Sequence, residues 1–251
     1  MTVMTIAGFD PSGDAGVLND IKTFHALGQF GRAVITALTA QNTKKVIDVL
    51  PVDIKFIKEQ IDVVLEEEKI EYAKTGMLYS PDIVKAVAGK VKEYQLKLVV
   101  DPVMVASSGG LLSRKDLVKS LRKYLLPQAI LTTPNIWEAQ ALSGIEISGE
   151  EEAIEAALEM GKLCSVVVTG GHLNGNDVVY DGSITVLKGE LIDSQNTHGS
   201  GCTYSAAATV HLLKGFDLEE ALLKASEFTK NSIKYGIKGT LNQFWQEKEC
   251  L

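Results

Sequence analysis

Leu98-Val99-Val100-Asp101-Pro102-Val103-Met104 is a short apolar, β-branched run that stops at an acid and a proline. Such a run, too short for a helix and closed by a breaker, reads as a strand buried on both faces. Working outward, Ala129-Ile130-Leu131-Thr132 repeats the pattern and leads through Pro134 into a helix over Trp137–Leu142. Val166-Val167-Val168-Thr169 repeats it again, ending in Gly170-Gly171. Upstream, the spacing predicts a helix from Asp82 to Glu93 and a strand at Tyr72–Thr75. Farther back, residues 53–66 place Ile54, Ile57, Ile61, Val64 and Leu65 on a helical period, and Val34–Leu38 reads as a strand. Residues 3–7 form another strand and run into the turn-rich stretch from Gly8 to Gly16, before a helix carrying Val17, Ile21, Phe24 and Leu27.

Short strands alternating with helical segments indicate βαβ units and a mainly parallel sheet covered on both faces. Residues 176–195 depart from this. Val178-Val179-Tyr180, the Asp181-Gly182 turn and Ile184 to Leu187 read as an antiparallel hairpin, expected at a sheet edge. The last third is helical, over Thr203–Leu213 and Leu218–Tyr235. No Pro/Ser linker or repeat divides the chain, so a single α/β domain over residues 1–251 is expected.

Composition narrows the function. A chain of 251 residues with 45% hydrophobic and 23% charged side chains has the apolar surface to fold around one core. Its formal charge of −7 gives no basic footprint for nucleic acid or an anionic membrane. No run of 18 apolar residues offers a membrane span. Three cysteines, Cys164, Cys202 and Cys250, lack disulfide or zinc spacing, and a reducing, cytoplasmic setting is expected.

In an open parallel sheet, ligands bind beyond the carboxyl ends of the strands. The sharpest feature near such a place is His198-Gly199-Ser200-Gly201-Cys202-Thr203, leading into a helix of small residues. Glycines at a helix amino terminus expose amides and the positive end of the dipole, which suits an anion hole; a plain glycine turn with a Ser or Thr cap explains the same letters. Cys202 stands where a thiol pKa is commonly lowered; a small buried residue explains the same position. Three near misses are excluded. Asp14-Ala15 stands where a P-loop needs Lys and Ser/Thr, Tyr204 where a dinucleotide fingerprint needs its third glycine, and His198 where a nucleophile elbow needs its first. Asp101 and Glu138 are candidates for Mg²⁺, a hard cation content with one or two carboxylates.

Eight segments in order carry a family resemblance. They are Asp10-Pro11-Ser12-Gly13-x-Ala15-Gly16, Asp20-x-Lys22-Thr23-Phe24, Ile35-Thr36-Ala37-x-x-Ala40-Gln41-Asn42-Thr43, Lys74-x-Gly76-Met77-Leu78, Val100-Asp101-Pro102-Val103-Met104, Thr133-Pro134-Asn135-x-x-Glu138-Ala139, Gly170-Gly171-His172 and His198-Gly199-Ser200-Gly201-Cys202-Thr203. From about residue 4 to about 235 the chain resembles the hydroxymethylpyrimidine/phosphomethylpyrimidine kinases of thiamin biosynthesis, in the ribokinase-like superfamily.

The resemblance implies a three-layer α/β/α sandwich with a mainly parallel sheet and an antiparallel edge hairpin. It implies ATP-dependent phosphorylation of an aminopyrimidine alcohol and then of its monophosphate. Gly8, Asp20, Gln41, Met77 and Val103 would lie by the pyrimidine. Asp101 and Glu138 would serve Mg²⁺, and Asn135, Thr169 and Gly171 the nucleotide. Gly199, Ser200 and Gly201 would form the anion hole, with Cys202 as the base where sugar kinases use aspartate. Relatives are commonly homodimers. Two departures stand out: Thr169 replaces the lysine of many members, and Gly236-Ile237-Lys238-Gly239 only loosely echoes the family's carboxy-terminal glycine segment. The alternatives are a pyridoxal or pyridoxine kinase of the same subgroup and a non-catalytic binder on the same fold.

Overall fold

A computed structural model describes residues 1–104 and 114–246. The elements run β1 Thr2–Phe9, α1 Gly16–Ala26, β2 Phe30–Asn42, β3 Lys45–Pro51, α2 Ile54–Glu67, β4 Tyr72–Thr75, α3 Pro81–Tyr94 and β5 Lys97–Val100. They continue with α4 Arg114–Ser120, β6 Ala129–Thr132, α5 Ile136–Ser143, α6 Glu150–Met160, β7 Ser165–Val168, β8 Asp177–Tyr180, β9 Ile184–Leu187, α7 Ser200–Leu213 and α8 Leu218–Lys234. A π-helical turn, Leu121–Leu125, follows α4.

One nine-stranded sheet has the order β3-β2-β1-β4-β5-β6-β7-β8-β9. From β2 to β7 every neighbouring pair is parallel. The expected hairpin closes one edge, β8 antiparallel to both β7 and β9. The other edge was not anticipated. β2 is much longer than Val34–Leu38 and turns back into β3, a second antiparallel hairpin. β3 left little trace in the sequence because it is largely exposed on both faces, so no period-2 pattern marks it.

Successive side chains of a strand face opposite layers, and the core divides accordingly. Leu98, Val100, Val166 and Val168 pack against Ile57 and Ile61 of α2, Val84 and Val87 of α3, Leu142 of α5 and Ala156 of α6. Val99, Leu131 and Val167 face the opposite layer, Tyr204 and Ala207 of α7 and Leu222 and Phe228 of α8. Phe24 of α1 joins Ala206 and Val210 of α7 beside Val3. The result is the expected three-layer α/β/α sandwich.

Helix starts sort by capping. Asp53, Ser80, Asn135 and Asp217 cap α2, α3, α5 and α8 through their side chains. α6 begins at Gly149 without a side-chain cap but carries Glu150, Glu151 and Glu152 in its first turn, which suits the helix dipole. α1 and α7, which share one layer, start at Ala15 and Gly199 with neither a side-chain cap nor an acid in the first turn.

Candidate active site

The loop after β1 is organised by Asp10, which is 2% exposed. Its Oδ1 accepts from the Ser12 amide at 2.9 Å and the Ser12 hydroxyl at 2.7 Å, and its Oδ2 from the Ala15 amide at 3.0 Å. Burial alone would raise its pKa, but hydrogen bonds from His198, Ser12 and Gln41 outweigh it and hold the carboxyl well below the ordinary range. Gln41 is thereby placed beside this loop. His198 Nε2 lies 3.5 Å from Asp10 Oδ2, a long ion pair, and the neighbouring carboxylate raises the histidine pKa against the effect of burial. Gly8 and Met77 are in contact, since a Cβ on Gly8 would stand 2.4 Å from Met77 Cε. Thr36 fixes the Met77 carbonyl through its hydroxyl at 2.6 Å.

Beneath these residues lies a buried ion cluster. Lys74 and Asp20 are both 0% exposed, with Lys74 Nζ 2.9 Å from Asp20 Oδ1 and 3.0 Å from Oδ2. Thr5 donates its hydroxyl to Asp20 Oδ2 at 2.5 Å. Asp20 is thus enclosed below the site rather than presented at its surface. Lys74 also lies 3.5 Å from Asp101 Oδ2, which accepts from the Ser205 hydroxyl at 3.1 Å. Burial would lower the Lys74 pKa, yet Asp20, Cys202 and Asp101 together raise it, so the ammonium is charged. Val103 is half-buried, two residues beyond Asp101, whose carbonyl accepts from the Val103 amide at 2.9 Å.

Gly199 opens α7 at φ +90°, a conformation that suits glycine, and a Cβ there would stand 1.8 Å from the Asp14 carbonyl oxygen. The Ser200 amide is taken by the Thr197 carbonyl at 3.1 Å, leaving Gly201 and Cys202 in a first turn whose amides have no intrahelical partner. Cys202 lies close to Lys74, Asp101 and Asp20. Burial pushes that thiol up to about 12, against the opposing pull of Lys74. The helix amino terminus predicts a lowered thiol; desolvation reverses the direction here.

On the far side of this turn is a cavity of about 430 Å³. Thr169, Gly171, Ser200 and Gly201 line it, together with Asp177 and Tyr204. Asp177 accepts from the Gly170 amide and the Tyr204 hydroxyl, both at 2.7 Å, which fixes the Gly170-Gly171 turn on α7. Lys230, paired with Glu190, lines the same cavity and supplies a cation where Thr169 supplies none. The Gly236–Gly239 segment is tied to the loop before α7, with Asn196 bonded to the Gly236 carbonyl and the Gly239 amide, each at 2.8 Å.

Asn135 and Glu138 form a capping box on α5. Asn135 Oδ1 accepts from the Glu138 amide and Glu138 Oε2 from the Asn135 amide, each at 3.0 Å. The Thr133 amide donates to Val100 at 3.0 Å, which places the start of this segment beside Asp101, and the buried Thr133 hydroxyl has no partner. Among the described residues no three His, Cys, Asp or Glu side chains gather to hold a metal. One carboxylate with an unpartnered hydroxyl nearby fits Mg²⁺, which keeps its waters and takes phosphate oxygens, better than a metal caged by protein.

The expected residues thus fall into three adjoining groups: Gly8, Gln41 and Met77 at the first loop; Asp20, Asp101 and Cys202 around Lys74; and Thr169, Gly171, Ser200 and Gly201 on the cavity. Val103 and the α5 cap flank the second group. Lys74, Asn19, Ser205, Asp177 and Tyr204 had been given no role. Lys74 carried a signal, because a lysine inside an otherwise apolar strand is fully buried almost only when paired.

A sequence model of the phosphomethylpyrimidine kinase family matches residues 10–243. The chain is 38% identical over 239 residues to the hydroxymethylpyrimidine/phosphomethylpyrimidine kinase of Bacillus subtilis, covering 92% of this chain and 88% of that one. It is 40% identical over 240 residues to the thiamine biosynthesis bifunctional protein ThiED of Geobacter sulfurreducens, covering 93% of this chain and 49% of that longer protein. The ADP complex of Bacillus subtilis pyridoxal kinase superposes with a TM-score of 0.87 at 38% identity, covering 97% of this chain and 94% of the other. The sheet order, the site at the strand ends and these matches together make the chain a member of the phosphomethylpyrimidine kinase family, with its ribokinase-like fold.

Proposed function

We propose that this chain phosphorylates 4-amino-5-hydroxymethyl-2-methylpyrimidine with ATP, and then the resulting monophosphate, giving the pyrophosphate used in thiamine biosynthesis. The observation that carries this is the position of the first turn of α7. It packs directly against the loop after β1, with Gly199 on the Asp14 carbonyl, and it opens on the cavity lined by Thr169 and Gly171. An alcohol lying by Gly8 and Met77 and a nucleotide in the cavity would meet at the Gly201 and Cys202 amides.

Phosphoryl transfer depends mainly on positioning and charge stabilisation. The amides and dipole of α7 supply a fixed positive pole for the transferred group without a basic surface. Asp101 and Glu138 are the residues that would hold Mg²⁺, which offsets charge on the phosphates when bound. Cys202 is the acceptor for the hydroxyl proton in the first step. The second nucleophile is a phosphate oxygen that needs little deprotonation, so Cys202 matters less there.

The free thiols of Cys164 and Cys202 suit a reducing compartment such as the cytoplasm, and among the described residues no helix is long and apolar enough to cross a membrane. A homodimer is supported by Ile47 and Leu50, apolar side chains about two-thirds exposed on the β3 edge. Light scattering on the purified chain tests it.

A pyridoxal kinase is the second reading, favoured by identity to the pyridoxal kinase equal to that with the pyrimidine kinase. The deciding experiment offers purified protein and Mg-ATP the pyrimidine, its monophosphate and pyridoxal separately and identifies each product. Turnover of both pyrimidines is expected. Turnover of pyridoxal alone overturns the assignment, and turnover of none leaves a binding protein.

A further inference from the structure

Asn19, on the first turns of α1, is 0% exposed, and its carboxamide is hydrogen-bonded at both its nitrogen and its oxygen. Its Nδ2 donates to the Asp14 carbonyl at 2.7 Å and reaches the Gly199 carbonyl at 3.4 Å. Its Oδ1 accepts from the Thr203 hydroxyl at 3.0 Å, while the Thr23 hydroxyl, 3.4 Å from Oδ1, donates to the Asn19 main-chain carbonyl at 3.0 Å. Asp14 belongs to the loop after β1, and Gly199 and Thr203 bracket the first turn of α7. One side chain therefore binds both loops of the site, which touch so closely that no Cβ fits on Gly199.

We propose that Asn19 is a positioning residue that sets the distance and angle between the substrate-side loop, Asp10 to Gly16, and the anion-hole turn, Gly199 to Cys202. This rests on the kinase assignment above. A buried carboxamide bonded at both ends holds its partners in one arrangement, because a shift leaves a polar group unpaired in a low-dielectric interior. The reacting hydroxyl is held on one side of this contact and the transferred phosphoryl group on the other. A misplacement of about 1 Å between such groups costs on the order of 100-fold in rate. The residues expected by the pyrimidine, such as Gly8, Gln41 and Met77, and those expected by the nucleotide, Asn135, Thr169 and Gly171, lie on different elements, so binding of either ligand alone should depend little on the tie.

Two substitutions separate these effects. Asn19→Ala removes all the bonds, and Asn19→Asp keeps the acceptor for Thr203 while turning an oxygen toward two carbonyls. The measurements are the single-turnover transfer rate from ATP to the pyrimidine, calorimetric affinity for the pyrimidine and for ADP alone, and thermal unfolding. Both variants are expected to lose about 30-fold or more in transfer rate while each ligand binds within about threefold of the parent, as the misplacement scale implies. A folded variant with a transfer rate within threefold of the parent overturns the proposal, as does a loss matched by weaker binding of one ligand. Should neither variant fold, Thr203→Val removes one bond to Asn19 together with a longer contact from Gln243, and an unchanged transfer rate there overturns it equally. A parent inactive on both pyrimidines sinks the kinase assignment and this proposal together, whereas an active parent with unaffected variants sinks this proposal alone.

Discussion

Lys74 Nζ lies 2.9 Å from Asp20 Oδ1 with both side chains sealed from solvent. A second acid, Asp101, completes the cluster at 3.5 Å. Removing one partner of a buried pair leaves an uncompensated charge, at a cost of about 3–5 kcal/mol. Lys74→Met, which keeps much of the volume, is expected to lose stability on that scale. Urea unfolding of parent and variant measures it, and a loss under about 1 kcal/mol would show that the carboxylates do not depend on the ammonium.

Gly199 joins a positive φ to a contact with the Asp14 backbone that excludes even a methyl group. Gly199→Ala must displace either the loop after β1 or the first turn of α7. The expected result is a transfer rate lower by on the order of 100-fold, with far-ultraviolet circular dichroism unchanged. Gly215, whose φ is also positive but whose Cβ would meet nothing within 4 Å, is the control. Gly215→Ala should cost stability without slowing transfer by more than about twofold.

His198 and Asp10 make stability depend on pH. The histidine pKa is raised in the folded state, so its contribution is complete below the unfolded value of 6.5 and is lost as pH climbs through the folded one. The Asp10 pKa is depressed, so its contribution is present above 3.8 and is lost only as strong acid protonates it. The difference in melting temperature between the parent and His198→Ala should be widest between about pH 4 and 6 and narrow toward pH 9. Melts at pH 5.5, 7 and 9 test this, and an invariant gap would exclude the ion pair as its source.

In the proposed mechanism Cys202 must shed its proton before it can accept one from the pyrimidine hydroxyl. With the thiol pushed up to about 12, its reactive fraction grows about tenfold per pH unit through the neutral range. The first phosphorylation should accelerate from pH 7 to 9, the second should not, and Cys202→Ala should remove the slope from the first. Rates measured separately for the two substrates decide the matter. A slope that survives in Cys202→Ala assigns the proton to another group.

The parallel core was legible in the sequence because Leu98 to Val100, Ala129 to Thr132 and Val166 to Val168 are short apolar runs that only a doubly covered strand explains. β3 was not, since a strand exposed on both faces has no pattern to read. The glycine loop before α7 is recognisable as a helix start, but whether the thiol beside it is activated or simply buried is not. Local context sets the dipole, whereas burial depends on β4 and α1, far away in the chain. For the same reason Lys74 could be flagged only as out of place, and Asn19, one polar residue at the start of an amphipathic helix, gave no sign that it binds two loops.

Asn19 and Gly199 lie 180 residues apart in the chain. During synthesis the loop after β1 leaves the ribosome long before the glycine that packs against it exists. Until α7 arrives, that loop lacks the backbone surface and the hydroxyl that hold it, and contacts of such long sequence separation form only after the intervening chain is ordered. The last βα units can assemble around β4, β5 and β6 without completing the site. A chain released early, short of residue 199, would lack α7 and α8, leaving Val99, Leu131 and Val167 uncovered on one face of the sheet, and would lack the turn that packs against the loop after β1.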